Sequence, residues 1–132
     1  MKGYGDVAVL AAGFVTTEGL TPEDAWIKAA REVFPNSKAY REKGCPKSAF
    51  LGLCAAGLVR GIEPIGSGSV ESDNGKYAIA AAGVVRGVKN IILVDEAALW
   101  KKSLQLSGAK IGLTYNHQME VVLKLADAKL LL

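Results

Sequence analysis

Apolar residues run through this chain in stretches with helical spacing, broken by short polar or glycine-bearing joints. Residues 7–15 are nine apolar or small positions in succession. They are too few to span a bilayer, which takes about 20 residues, and predict a first core helix. Thr21-Pro22-Glu23-Asp24 reads as a helix start, with a hydroxyl cap, proline at the first helical position and acids in the first turn. That helix is predicted to reach Phe34, with Trp26, Ala29, Ala30 and Val33 on one face and Lys28 and Arg31 off it. Residues 36–44 are polar, with room for one helical turn at 39–42.

Pro46 opens the next predicted helix, whose inner face carries Ala49, Phe50, Leu53, Cys54, Gly57 and Leu58. Residues 63–70 have no helical period and read as a loop or small hairpin. Asp73-Asn74-Gly75 leads into a helix over 76–86 with Tyr77, Ala80, Ala81, Val84 and Val85 apolar. The apolar run 91–94 reads as a buried extended connector, since no second strand offers to pair with it. Asp95 caps a helix that Gly108 ends, with Ala98, Leu99, Ser103, Leu104 and Leu106 set against Lys101, Lys102 and Gln105. The last helix starts near Asn116 and places Met119, Val122, Leu123, Ala126 and Leu130 on one stripe. Leu130-Leu131-Leu132 is predicted to dock on the domain or on a second copy, because so apolar an end is poorly soluble when frayed.

An internal repeat organises the middle. Ala55-Ala56-Gly57-Leu58-Val59-Arg60-Gly61-Ile62 returns as Ala81-Ala82-Gly83-Val84-Val85-Arg86-Gly87-Val88, and the correspondence extends back to Phe50 and Lys76. Each copy reads as the second half of a helix, with Arg60 or Arg86 in its last turn, where a cation favours the helix dipole, and Gly61 or Gly87 as the cap. Ala11-Ala12-Gly13-Phe14-Val15 is a fainter third echo. A glycine inside a helix costs about 1 kcal/mol relative to alanine, so Gly13, Gly57 and Gly83 predict close helix contacts over small residues. The predicted fold is a single compact, mainly α-helical domain over residues 1–132, with five or six helices and the repeat pair at its centre.

Composition narrows the function classes. With 132 residues, 50% hydrophobic and 22% charged, the chain can bury a core without staples. A formal charge of +3 is far from the dense positive field of a nucleic-acid wrapper. Cys45 and Cys54 are too few for a disulfide framework and lie more than two helical turns apart, which suits a reduced cytoplasm. A signal peptide fits poorly, because Asp6 precedes the first apolar run and Thr16-Thr17-Glu18 follows it without a cleavage pattern.

Candidate chemistry is thin. Residues 66–71 superficially match a dinucleotide loop, but Glu71 replaces the last glycine and no strand-loop-helix unit surrounds it, so a turn is the plainer reading. His117 is the only histidine; a metal site would rest on Asp and Glu, and a capping or surface role suits it better. Cys45 precedes Pro46 at a helix start between Lys43 and Lys47, where a dipole favours a thiolate, and is the candidate reactive thiol. Lys38, Tyr40, Arg41, Lys43 and Lys47, opposed only by Glu42, stand before the same helix. With Arg60 they form a candidate phosphate-contacting set. Against nucleic acid, the helix is rich in Phe, Leu, Ala and Gly, with few side chains to read base edges. No metal or cofactor is expected.

The segment Lys43-Gly44-Cys45-Pro46-Lys47-Ser48-Ala49-Phe50-Leu51-Gly52-Leu53-Cys54, followed by Gly57-Leu58-Val59, resembles a family of small bacterial proteins of unassigned function, some carried on mobile elements. The resemblance implies a bacterial cytoplasmic accessory protein and carries over no catalytic residue. The leading expectation is a non-enzymatic interaction module that forms a homodimer or other homo-oligomer through small-residue or C-terminal apolar faces. A helical, winged-helix-like nucleic-acid binder, with residues 63–74 as the wing, is the second. A small-ligand-binding bundle with Trp26, Trp100 or Tyr77 near an apolar pocket is the third. An enzyme is the class these residues support least.

Overall fold

The computed structural model describes residues 2–64, 72–110, 113–115 and 117–132. In chain order they form α1 (Tyr4–Glu18), α2 (Pro22–Val33), α3 (Lys38–Arg41), α4 (Gly44–Ala55), α5 (Asp73–Val85), a 3-10 turn (Ile91–Leu93), α6 (Glu96–Ser107) and α7 (Gln118–Asp127). The mainly helical prediction holds. Among the described residues the strand-like pairing is one isolated antiparallel bridge, Val59 with Leu131.

Helices begin where the sequence supplies caps. The Asp24 N–H donates to Thr21 Oγ1 and the Ala98 N–H to Asp95 Oδ2, each at 3.2 Å. Ser37 and Ser72 accept in the same way at the starts of α3 and α5. Each such bond satisfies one amide that the helix leaves without an internal partner. Gly19 and Gly108, at φ of 68° and 76°, end α1 and α6 in the left-handed region.

Around one core, α1 lies against α2 and α7, α4 against α5, and α5 also against α6 and α7. Val7, Ala8 and Ala11 of α1, Phe50 and Leu53 of α4, and Met119, Val122 and Leu125 of α7 are fully buried. Trp26 fills the space between α2 and α4, its ring 5.4 Å from that of Phe50. The apolar end docks on its own chain. The Leu132 N–H donates to the Leu58 carbonyl (2.8 Å) and the Arg60 N–H to the Leu130 carbonyl (2.7 Å).

Several expectations need correction. The two repeat copies differ in backbone. α4 stops at Ala55, and Gly57 at φ 74° closes it, with the Leu58 N–H returning to the Leu53 carbonyl. Gly57, Leu58 and Arg60 therefore lie outside the helix that was to contain them, and Gly61 (φ 82°) turns the chain again. In the second copy Gly83, Val84 and Val85 remain helical. That helix also starts earlier than predicted, taking in Asp73, Asn74 and Gly75.

The 91–94 run is not an extended connector: bonds from the Leu93 and Val94 N–H groups to the Asn90 and Ile91 carbonyls coil it into the 3-10 turn, leaving Leu93 78% exposed. In α6, Ala98 and Leu106 are exposed, and Trp100 takes their place inside with Leu99, Ser103 and Leu104. α7 starts at Gln118, with Asn116 outside the described residues. Leu130 lies beyond the end of that helix.

The small-residue prediction also fails in its particulars. A Cβ on Gly13 or Gly83 would meet nothing within 4 Å, so neither marks a close helix contact. The close approach is at Gly5, where a Cβ would come 2.5 Å from Lys124 Cβ and 3.0 Å from the Glu120 carbonyl oxygen. Gly5→Ala must push α1 off α7, and we expect a loss of about 2 kcal/mol in denaturant unfolding. Gly13→Ala, in open space on the same helix, is expected to gain about 1 kcal/mol. Equal effects of the two substitutions would contradict this assignment.

Burial pushes the Cys54 thiol up from 9.0 to about 12, and burial first, then the Glu96 carboxylate, raises Tyr115 above its ordinary 10.0. Both groups hold their protons more tightly folded than unfolded. Their contribution is therefore complete below the unfolded values and is lost as pH rises through the folded ones. From pH 9 upward, Cys54 alone accounts for a decline of about 1.4 kcal/mol per pH unit. In a urea-unfolding series against pH, Cys54→Ala is expected to hold its own, lower, stability flat to about pH 10, where the native chain already declines.

Candidate functional site

The N-terminal end of α7 carries the densest polar chemistry of the described residues. Glu120 Oε2 accepts from the Gly5 N–H (2.9 Å), and Glu120 Oε1 lies 3.3 Å from His117 Nδ1. The carboxylate thus sits at the positive end of α1, where the first amides lack helical partners. Asp6 closes the same end by accepting from the Gly3 N–H (2.8 Å). The Tyr115 hydroxyl accepts from the Glu120 N–H (2.9 Å) and donates to Glu96 Oε2 (3.1 Å). His117 is the N-cap of α7 at φ 69°, an uncommon left-handed backbone for a residue other than glycine. Its ring lies 4.9 Å from that of Tyr4 and 6.1 Å from that of Tyr115. The predicted capping position holds, although no backbone amide bonds to the imidazole.

Ring contacts extend this cluster both ways. Tyr4 meets Phe34 at 5.0 Å and Phe34 meets Tyr40 at 5.5 Å. In the other direction Tyr115 meets Trp100 at 5.5 Å, and Trp100 meets Tyr77 at 5.3 Å. Seven rings thereby tie α1, α2, α3, α5, α6 and the start of α7 together. Its polar tips are satisfied, since Tyr4 Oη donates to the Tyr40 carbonyl and Trp100 Nε1 to the Leu113 carbonyl.

From this cluster a groove runs along the outer side of α7. Its first hollow, about 330 Å³, is lined by Val94, Glu96, Glu120, Leu123 and Lys124. The second, about 380 Å³, is lined by Arg86, Val88, Lys89, Lys129 and Leu132. Ile91 and Asp127 border both, making the trough continuous. Val88 and Leu132, which line the second hollow, are large exposed apolar side chains, and Leu93 is exposed in the 3-10 turn. Glu96 and Glu120 line one hollow together with Lys124, which faces Asp6 at 3.6 Å, and Arg86, Lys89 and Lys129 line the other, with Asp127 shared by both.

The repeated arginines meet at the chain's last residues. Arg60 Nε donates to the Lys129 carbonyl (3.1 Å) and Arg86 Nε to the Leu132 carbonyl (3.0 Å). They hold the tail at both ends, a role that the helix-terminus reading missed. Lys129, at φ 61°, makes the turn into it.

Arg60 stands apart from the other candidate phosphate contacts. Lys38, Tyr40 and Arg41 lie on α3 and Lys43 caps the start of α4. Arg60 lies beyond the far end of α4, whose 12 residues span about 18 Å. Arg41 Nη1 donates to the carbonyls of Phe34 (3.0 Å) and Pro35 (2.9 Å), closing the end of α2. Lys47 Nζ pairs with Glu23 at 3.1 Å. Tyr40 is 59% exposed, its ring edge-on to Phe34. Cys45 is half-buried in the first turn of α4, and it and Cys54 are free thiols. Residues 66–71, with most of the supposed wing, lie outside the described residues. Among the described residues no group of three or more His, Cys, Asp and Glu is placed to hold a metal ion.

Fold and surface define a small, mainly helical protein with an amphipathic trough on one face. The chain belongs to a family of unknown function, DUF6979, whose model matches residues 1–132. No curated protein and no solved structure matches it. Among the described residues no helix is long and apolar enough to cross a membrane.

If the arginines secure the tail, Arg60→Ala and Arg86→Ala should each cost up to about 1 kcal/mol, the bonds being charge-assisted but exposed. Amide exchange at residues 130–132 should quicken in both variants. Unchanged exchange in the double variant would show that the backbone bridge alone holds this end.

Proposed function

We propose that this protein is a non-enzymatic interaction module that self-associates through the α7 trough. The observation that carries the reading is the make-up of that trough, where exposed Val88 and Leu132 lie among Arg86, Lys89 and Lys129 while the other hollow carries Glu96 and Glu120. A twofold pairing lays the basic end of one copy on the acidic end of the other, so one surface serves both partners. Opposed charges of this kind set register and partner choice. The docked Leu131 and Leu132 supply part of the trough lining, in keeping with an apolar C-terminal face that sticks to something. Two free cysteines suit a reducing cytoplasm. A bacterial accessory role, including carriage on mobile elements, rests on the resemblance of the segment around Cys45 and Cys54.

Sedimentation equilibrium tests the pairing. The native chain is expected at twice its own mass, with dissociation favoured by salt, and Val88→Glu is expected to yield monomer. Lys89→Glu and Glu96→Lys should each weaken association, whereas the double variant, with one charge of each end exchanged, should recover it. A native chain that stays monomeric at high concentration, or a double variant no better than either single one, would overturn the reading.

A further inference from the structure

Away from the α7 trough, a cavity of about 540 Å³ lies where the end of α1, the start of α2 and the last turn of α4 meet the returning segment 61–63. Left-handed Gly57 and Gly61 bring that segment back, and the turn at Gly61 is close enough to α1 that a Cβ would lie 3.0 Å from Thr16 Cγ2. Val15, Leu20, Leu51 and Ile62 supply apolar wall, and Cys54 lies buried among them. Burial holds that thiol neutral, with its pKa up at about 12, so it acts as wall rather than as an anion. Trp26, Trp100 and Tyr77, the aromatics predicted to stand by a pocket, are not among the lining residues.

The charges bordering the cavity have one sign. Glu23 and Glu63, both exposed, are its ionisable carboxylates, and no Lys, Arg or His side chain lines it among the described residues. Glu23 is engaged by Lys47, whereas Glu63 makes no ion pair among the described residues. The volume falls in the range typical of small-molecule sites, and an apolar hollow with few polar groups is their usual form. An anionic head group would meet carboxylate repulsion here, and a cationic one attraction.

We propose that this cavity binds a small amphiphilic amine, with its apolar body in the hollow and its ammonium group against Glu63. Decylamine is the probe, used below its aggregation concentration, with decanoate as the anionic control of equal chain length. Calorimetry is expected to show saturable one-site binding of decylamine, with decanoate weaker by about tenfold or more, a difference of roughly 1.4 kcal/mol. Glu63→Gln should weaken decylamine by about threefold to tenfold, as befits an exposed ion pair. Ala55→Phe, which fills the hollow, should abolish binding while leaving the helical signal intact. Should that variant fail to fold, amide shifts in the native chain decide, with the largest expected at Val15, Leu51, Ala55 and Ile62. Absence of saturable binding, equal affinity for decanoate, or shifts centred elsewhere would overturn the proposal.

Discussion

The Glu120 carboxylate at the start of α1 fixes the crossing of α1 and α7. It does three things at once: it accepts the Gly5 amide, faces the positive end of a 15-residue helix and pairs with His117 of its own helix. The approach is close enough that Gly5 has no room for a side chain. Because α1 and α7 contribute two walls of the core, their crossing sets the space that Phe50, Leu53 and Met119 must fill. The ring series through Tyr4, His117 and Tyr115 follows from the same crossing, since those side chains come from the elements that it brings together.

The repeat shows how little a local match constrains the backbone when long-range partners differ. Ala-Ala-Gly is common to both copies, yet Gly57 ends a helix and Gly83 lies inside one. In the first copy the Leu58 carbonyl and the Arg60 amide are taken by residues 132 and 130 respectively, and Pro64 packs against Gly57. In the second copy the helix continues to Val85 before the chain turns. What the copies retain is the arginine. Both guanidinium groups end on carbonyls of the last four residues, so the likeness survives as a shared hold on one tail.

Trough and cavity are products of connecting segments more than of helices. Ile91 of the 3-10 turn lines both hollows beside α7, and the turn through Gly57 and Gly61 carries one wall of the cavity. Both surfaces combine an apolar floor with bordering charge, but the charge differs in kind. Opposite signs along the trough suit a copy of the same surface, while carboxylates alone at the cavity suit a small cation.

The helical class, the caps at Thr21 and Asp95, the terminator at Gly108 and the inner face of α2 are legible in the sequence, since each signal acts within about one turn of the residue that carries it. The sequence also placed Ala49, Phe50, Leu53 and Cys54 inside and showed that the apolar end must dock. It did not reveal the end of α4, the coiling of 91–93, the importance of Gly5 over Gly13, or the cluster around Tyr115 and Glu120. Those were decided by tertiary structure. Gly5 and Glu120 are 115 positions apart, and nothing near either residue announces the other. Likewise Arg41 and Lys47 read as free cations until the fold supplies the α2 carbonyls and Glu23. The reason is one of range: capping and periodicity are local, whereas a site is made by side chains whose distance only the packed chain sets.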